Sequence, residues 1–476
     1  MIKTQGASKN KNVTESSVKK SCAIPPSILR SYDIRGTYGK DVTDPIFLQL
    51  GKHFGGYLHT KDYKRCVVGR DGRTSSKALQ KAFIEGMRYV GIHVIDIGCV
   101  PTPAVYHAQK SLATDAGAMI TGSHNPVEDN GLKLLTKEEP FFETLIQELP
   151  FVVYKEAETH GSLKYMDTHD QYVSKLFQHY SKKNRRLRIA WDPGNGACCD
   201  VMHRMQKRLP HKYFNINDSI DGTFPAHLPD PTQEENLEGL RACIQKHACD
   251  FGIAFDGDGD RLVILDETGR LMAGDRLFSL FIKDTLSRYP KKRVIYDVKA
   301  SSFLPHYIKT HKGIPVLNRT GHSWIKKRLK ETQAILAGEV SGHYFFNDTY
   351  YGYDDGLYAA LRFIQIMEKS NQKASHLLNF WPALFPSPEL KIPCADDQKF
   401  NAIEKIQKIL NDQGQPFDCT DGLRVETPSG WYILRASNTG PHLIGRIEAD
   451  SEEALGVMKK ALNMLLVTQE LSLPIF

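Results

Sequence analysis

"RCVVGRDGRTSSKALQKAFIEGMRYVG", residues 65–91, decides how the chain is divided. Its first third is a β-branched run that breaks into a polar, glycine-bearing loop. The remainder carries Leu79, Phe83, Met87 and Val90 at helical spacing. This is a strand that delivers a loop at its carboxyl end and then enters a helix, the place where open α/β sheets hold ligands. The pattern returns in "LRIAWDPGNGACC", residues 187–199, and in "KRVIYDVKASS", residues 292–302. Three α/β units in series are therefore expected. After about residue 383 the texture changes: "FPSPELKIPC" holds a short alternating strand among prolines, and a helix is expected over 399–410. "WYILRAS" and "HLIGRIEA" are strand-like before a final amphipathic helix over 452–467. The expected division is a basic tail over 1–24, α/β units over 25–168, 169–270 and 271–383, and a smaller α+β domain over 384–476.

At 476 residues the chain is too long for one core. No apolar run approaches the roughly 18 residues of a membrane helix, so no membrane partner is expected. The nine cysteines are scattered without a C-x-x-C pair, as in reduced thiols of a cytoplasmic protein. Net charge is +7, but residues 1–24 hold five lysines and one glutamate, which leaves +3 for the body. That excess is too small to point to nucleic acid. The tail is Ser/Asn/Lys-rich and lacks a signal-peptide core, so it is expected to be disordered.

Four loops offer chemistry. "TGSHNP", residues 121–126, displays Ser123 beside His124 between turn formers and outside the G-x-S-x-G frame of a hydrolase elbow. "AFDGDGDRLVILDE", residues 254–267, sets Asp256, Asp258 and Asp260 one glycine apart. Carboxylates this close repel unless a cation sits among them, so a hard divalent metal with oxygen ligands is expected. A calcium EF-hand loop fails at its sixth place, where Arg261 stands for the needed glycine, and magnesium is the better fit. "GEVSGH", residues 338–343, displays Glu339, Ser341 and His343, an acid, a hydroxyl and an imidazole suited to a polyol. "RASNTG", residues 435–440, offers Arg435, Ser437, Asn438 and Thr439, an inventory that fits a phosphate dianion. Arg35 in "SYDIRGTYG", Arg70 in "GRDGR", Lys133 in "NGLKLL", Lys299 in "DVKAS" and His322 in "RTGHSWIKK" stand beside glycine turns or strand ends. Each of these loops, taken singly, also reads as an ordinary turn.

In this order the motifs resemble the α-D-phosphohexomutase superfamily, most closely its bacterial phosphomannomutase/phosphoglucomutase branch, over residues 26–470. The resemblance implies four domains around a central cleft and a mutase that interconverts hexose 6-phosphate and hexose 1-phosphate of mannose, glucose or both. It implies that Ser123 carries a phosphoryl group and that one magnesium ion per chain is held by Asp256, Asp258, Asp260 and Ser123. Hexose 1,6-bisphosphate is the implied intermediate and activator, sugar phosphates are the partners, and the chain is a monomer or weak dimer in the cytoplasm. Arg35, Lys133 and His343 are then candidates for handling the hydroxyl proton. The imidazole has the intrinsic pKa nearest neutrality. Arg261 and His124 would support the phosphate and metal. Tyr32, Lys299, His322, Glu339, Ser341, Arg435, Ser437, Asn438 and Thr439 would bind substrate, with Glu339 and Ser341 on the sugar's O3 and O4.

Two departures from the family pattern are Gly440, which replaces a second threonine, and the less polar "FPAHLPDP" from Phe224. A phosphoglucosamine mutase is the nearer alternative, although its serine loop usually reads "SASHNP". A noncatalytic sugar-phosphate binder on the same fold is the alternative from another class.

Overall fold

Each of the three quoted stretches opens with a strand flanked by two parallel neighbours, and in each sheet one of those neighbours turns back as an antiparallel hairpin. The computed structural model describes residues 24–138, 140–181, 183–437 and 440–474. Apart from Ile24, which is buried in the first unit's core, the tail expected to be disordered lies outside the described residues.

In the first unit, Arg65–Arg70 lies between parallel strands Ala116–Ile120 and His93–Cys99, with Leu163–Tyr165 at one edge. Ala116–Ile120 then turns back into Asp129–Thr136 as an antiparallel hairpin, beyond which Ile34–Thr37 pairs in turn. The second unit repeats this scheme: Arg188–Asp192 lies between parallel Lys212–Asn215 and Phe251–Phe255, and Phe251–Phe255 turns back into Leu262–Asp266. In the third, Arg293–Asp297 lies between parallel Ile314–Asn318 and Leu336–Gly338, and Leu336–Gly338 turns back into Tyr344–Phe346. The last unit is antiparallel throughout, with Gly430–Ala436 and His442–Ala449 at its centre.

The helices follow from their apolar spacing. Ser76–Tyr89 buries Leu79, Phe83 and Met87, and Val90, also buried, caps its end. Lys399–Asp412 buries Ile403, Ile406 and Leu410, and Glu452–Val467 buries Met458, Leu462 and Leu466. The latter helix starts at Ser451, whose hydroxyl accepts from the Ala454 N–H, a side-chain cap worth about 1 kcal/mol. Leu390–Pro393 alternates buried and exposed as its sequence does. One core runs continuously from Val67 and Val105 of the first unit through Trp191 and Phe255 of the second to Phe281 and Phe363 of the third. Shared packing of this kind fixes the three hairpin turns relative to one another.

Candidate functional site

Three motif loops are hairpin turns: 121–128, 256–261 and 339–343 each join two antiparallel strands, and the fourth motif stands where antiparallel Gly430–Ala436 and His442–Ala449 meet. The first three come from equivalent positions in the three α/β units.

Ser123 sits in the left-handed region at φ +49°, which costs a residue with a Cβ about 1–2 kcal/mol. The surroundings offset that cost. The Ser123 N–H donates to Thr121 Oγ1 at 2.7 Å, and the Thr121 hydroxyl donates to Asp71 Oδ2 at 2.7 Å. Arg73, buried behind the loop, donates to the carbonyls of Ser123 (2.8 Å), Asn125 (2.7 Å), Pro126 (2.5 Å) and Asp129 (2.9 Å). Charge-assisted bonds to so many carbonyls hold the turn rigidly. Its side chain is thereby aimed: Ser123 Oγ donates to Asp256 Oδ2 at 3.0 Å and lies 3.2 Å from His124 Nδ1.

Asp256, Asp258 and Asp260 are fully buried, and ligand oxygens from all three lie within 4.8 Å of one another. Burial first, then Asp260 and Asp258, push the Asp256 carboxyl well above the usual range. Lys133 reaches in from the neighbouring hairpin, donating to Asp258 Oδ2 at 2.7 Å and Asp260 Oδ2 at 2.6 Å. Burial would depress this ammonium, but the two carboxylates outweigh that effect and raise it. The Thr102 hydroxyl donates to Asp258 Oδ2 at 2.5 Å. Asp258 Oδ1 and Asp260 Oδ1 are buried and find no hydrogen-bond donor among the described residues. A buried carboxylate oxygen without a donor is costly, and a divalent cation satisfies such oxygens. The residues therefore fit a metal.

Gly257 brings the two loops together. A Cβ at this position would stand 2.6 Å from the Ser123 carbonyl oxygen. Gly259, at φ +72°, closes over Cys198, whose sulfur a Cβ would meet.

Arg261 links this cluster to the third unit. Its Nε donates to His343 Nε2 at 3.0 Å and lies 3.8 Å from Asp256 Oδ2. His343 is stacked near His322, with ring centroids 5.8 Å apart, and His322 meets Tyr32 edge-on at 5.1 Å. Burial lowers the His322 imidazole well below its ordinary value, and burial with Asp33 pushes the Tyr32 phenol up to about 12. Glu339 accepts from the Gly321 N–H at 2.7 Å through one oxygen, while its other oxygen is buried without a donor. Ser341 is partly exposed at the turn's tip. Arg35 donates to Asp33 at 2.6 Å and to Asn125 Oδ1 at 2.6 Å, which brings it against the Ser123 loop.

The remaining expected residues lie in or against the C-terminal unit. Lys299 pairs with Glu389 at 2.6 Å, Arg435 with Asp421 at 2.8 Å, and Ser437 Oγ accepts from the Gly440 N–H at 3.2 Å. Asn438 and Thr439 lie outside the described residues. A cavity of about 350 Å³ reaches Tyr32, Lys133, His322 and Lys326 from between the first and third units.

Sequence reasoning missed several residues that hold this arrangement. In "GRDGR" it singled out Arg70, which donates to the neighbouring Asp71 carbonyl at 3.0 Å, whereas Asp71 and Arg73 organise the Ser123 loop. The signal was present, a charged turn at the carboxyl end of the deciding strand. Thr102 and Asp354 carried no local signal. Asp354 is fully buried with one oxygen 3.1 Å from His343 Nδ1 and the other accepting from Lys326 at 2.9 Å.

The comparisons agree along the chain. Models of the phosphoglucomutase/phosphomannomutase α/β/α domains I, II and III match residues 26–149, 165–269 and 273–384, and the model of the C-terminal domain matches 389–463. A phosphomannomutase/phosphoglucomutase of Pseudomonas aeruginosa is 37% identical over 461 residues, 96% of this chain and 99% of that one. A phosphoglucomutase of Neisseria gonorrhoeae is 37% identical over 439 residues, 91% of this chain and 95% of that one. The crystal structure of a phosphoglucomutase/phosphomannomutase family protein from Burkholderia thailandensis superposes with a TM-score of 0.87 at 35% identity. It covers 95% of this chain and 100% of that one.

Proposed function

The chain belongs to the phosphoglucomutase/phosphomannomutase family, and from that premise we propose that it moves a phosphoryl group between O1 and O6 of a hexose phosphate, with Ser123 as the carrier. The observation that carries this reading is the 3.0 Å contact from Ser123 Oγ to Asp256 in a buried cluster of three aspartates. Two cations, Lys133 and Arg261, face those three carboxylates. A phosphoryl dianion on Ser123 would leave the centre strongly anionic. A divalent cation held by Asp256, Asp258, Asp260 and the phosphoserine would remove most of that charge and polarise the phosphoryl oxygens. Magnesium suits this oxygen-only donor set.

The residues then have distinct tasks. The free hydroxyl of a hexose 1-phosphate attacks phospho-Ser123; the bond from phosphorus to Oγ breaks and a bond to the sugar oxygen forms. The hydroxyl proton goes to His343 Nε2. Arg261 can only donate to that nitrogen, so it carries a lone pair, whereas Lys133 and Arg35 are both held as cations by carboxylates. Arg261 must yield its place on Nε2 when the hydroxyl arrives. The hexose 1,6-bisphosphate turns over in the cleft, and Ser123 Oγ takes back the other phosphoryl, regenerating the phosphoserine. Glu339, Ser341 and His322 hold the sugar hydroxyls, while Lys299, Arg435, Ser437, Asn438 and Thr439 hold the phosphate that is not reacting. Anchoring through O3, O4 and phosphate leaves C2 unread, so both glucose and mannose phosphates are accepted. Soluble sugar phosphates as substrates favour a cytoplasmic enzyme.

Intact mass and peptide mapping should find a phosphoryl group on Ser123. Turnover of mannose 1-phosphate and glucose 1-phosphate, compared with bisphosphate supplied, should be of similar size, and a marked preference for glucosamine 1-phosphate over both would favour the glucosamine alternative. A Ser123→Ala protein that retains turnover would remove the carrier role, and binding without any turnover by the intact chain would favour a noncatalytic binder.

A further inference from the structure

Buried charge behind an imidazole needs a purpose or a partner, and Asp354 has both on one carboxylate. It lies at the start of "DDGLYAALRF", just before helix Gly356–Lys369, and is fully excluded from solvent. Its Oδ1 accepts from Lys326 Nζ at 2.9 Å, and the same ammonium donates to the Tyr106 hydroxyl at 3.0 Å. Its Oδ2 stands 3.1 Å from His343 Nδ1, within ion-pair reach, and neither atom makes a hydrogen bond among the described residues, so each is a buried polar atom facing the other. Asp260 Oδ1 is the other carboxylate oxygen near that nitrogen, at 3.6 Å.

The opposite nitrogen fixes the tautomer. Arg261 Nε–H can only donate, so His343 Nε2 is bare and a neutral ring carries its proton on Nδ1. The nearer acceptor for that proton is Asp354. Lys326 is part of helix His322–Thr332 in the third unit, and Tyr106 is part of helix Thr102–Ser111 in the first. The carboxylate is thus braced by a cation that is itself braced across the interface between two units.

We propose that Asp354, braced by Lys326 and Tyr106, is a positioning residue that holds His343 with its proton on Nδ1 and its Nε2 lone pair turned to the reacting hydroxyl. This rests on the phosphoryl-transfer reading above. The acid behind the ring keeps the receiving nitrogen free. A wrong tautomer presents a proton where an acceptor is needed.

The test uses Asp354→Asn in the full chain, with ¹⁵N-histidine labelling and His343→Gln to assign the ring signals. In the unaltered protein the His343 signals should show a protonated Nδ1 and a bare Nε2. In Asp354→Asn that preference should be lost, kcat should fall about 10²-fold and KM should move less than threefold. Phosphoserine content at Ser123, read by intact mass, should stay the same. If Asp354→Asn fails to fold, the double variant Asp354→Asn/Lys326→Met, which removes both charges together, should give the same loss. An unchanged tautomer, or a kcat within threefold of the unaltered protein in a folded variant, overturns the proposal. Absence of turnover or of phosphoserine in the unaltered protein instead refutes the reading it rests on, which keeps the two failures apart.

Discussion

The Ser123 loop and the Asp256 loop occupy equivalent turns in the first two units, yet they are finished in opposite ways. At Ser123 the backbone is in a costly conformation and its carbonyls are gripped from behind by Arg73. At Asp256 the backbone is relaxed by glycines, and two carboxylate oxygens find no donor among the described residues. One turn is completed by the protein itself, and the other leaves oxygens that fit a cation. Under the proposed function, this difference would hold the reacting atom still while an ion adjusts the charge beside it.

Removing the ion should have the largest effect. Chelation is expected to lower turnover by more than about 10³-fold, restored by added magnesium, while amide exchange of residues 121–126 stays as it was. Exchange that rises equally in both loops would show that the Ser123 turn is not self-sufficient. Arg73→Met comes next: it removes the carbonyl clamp and the partner of buried Asp71, so a loss of about 3–5 kcal/mol is expected in denaturant unfolding. Magnesium affinity measured by titration should move less than threefold, because the aspartates are untouched. An equal fall in affinity would break the contrast. Gly257→Ala should be the smallest perturbation and the most informative. Its methyl meets the Ser123 carbonyl, and relief of that overlap costs about 1–3 kcal/mol. Turnover should fall together with magnesium affinity, since this single contact joins the two turns. If only one of them changes, the loops do not share the contact.

The strands and helices were largely legible. The periodic runs at 65–91, 399–410 and 452–467 became elements close to their expected ends, because amphipathic spacing records which face is buried. The motif residues could be singled out by type and glycine spacing, and the fold brings Ser123, Asp256, Lys133, Arg261 and His343 together. Two things were not. That the first three motifs are tips of hairpins depends on a strand reversing direction, and nothing in "AGAMI" or "LAG" states its partner's polarity. Asp354 was invisible for a different reason. Its meaning comes from Lys326 and His343, which fold brings to it from elsewhere in the third unit, and from Tyr106, 248 positions earlier in the chain. Arg73 was overlooked beside Arg70 because two arginines flanking one turn look alike until one is seen to point inward.

Three reversals at matching places mean that the strands bear the architecture and the tips bear the chemistry. A tip such as Glu339–His343 can change its letters, or its length, while Leu336–Gly338 and Tyr344–Phe346 keep their register. Such a layout is modular: one corner of the centre can be rebuilt without disturbing the strands that hold the other two.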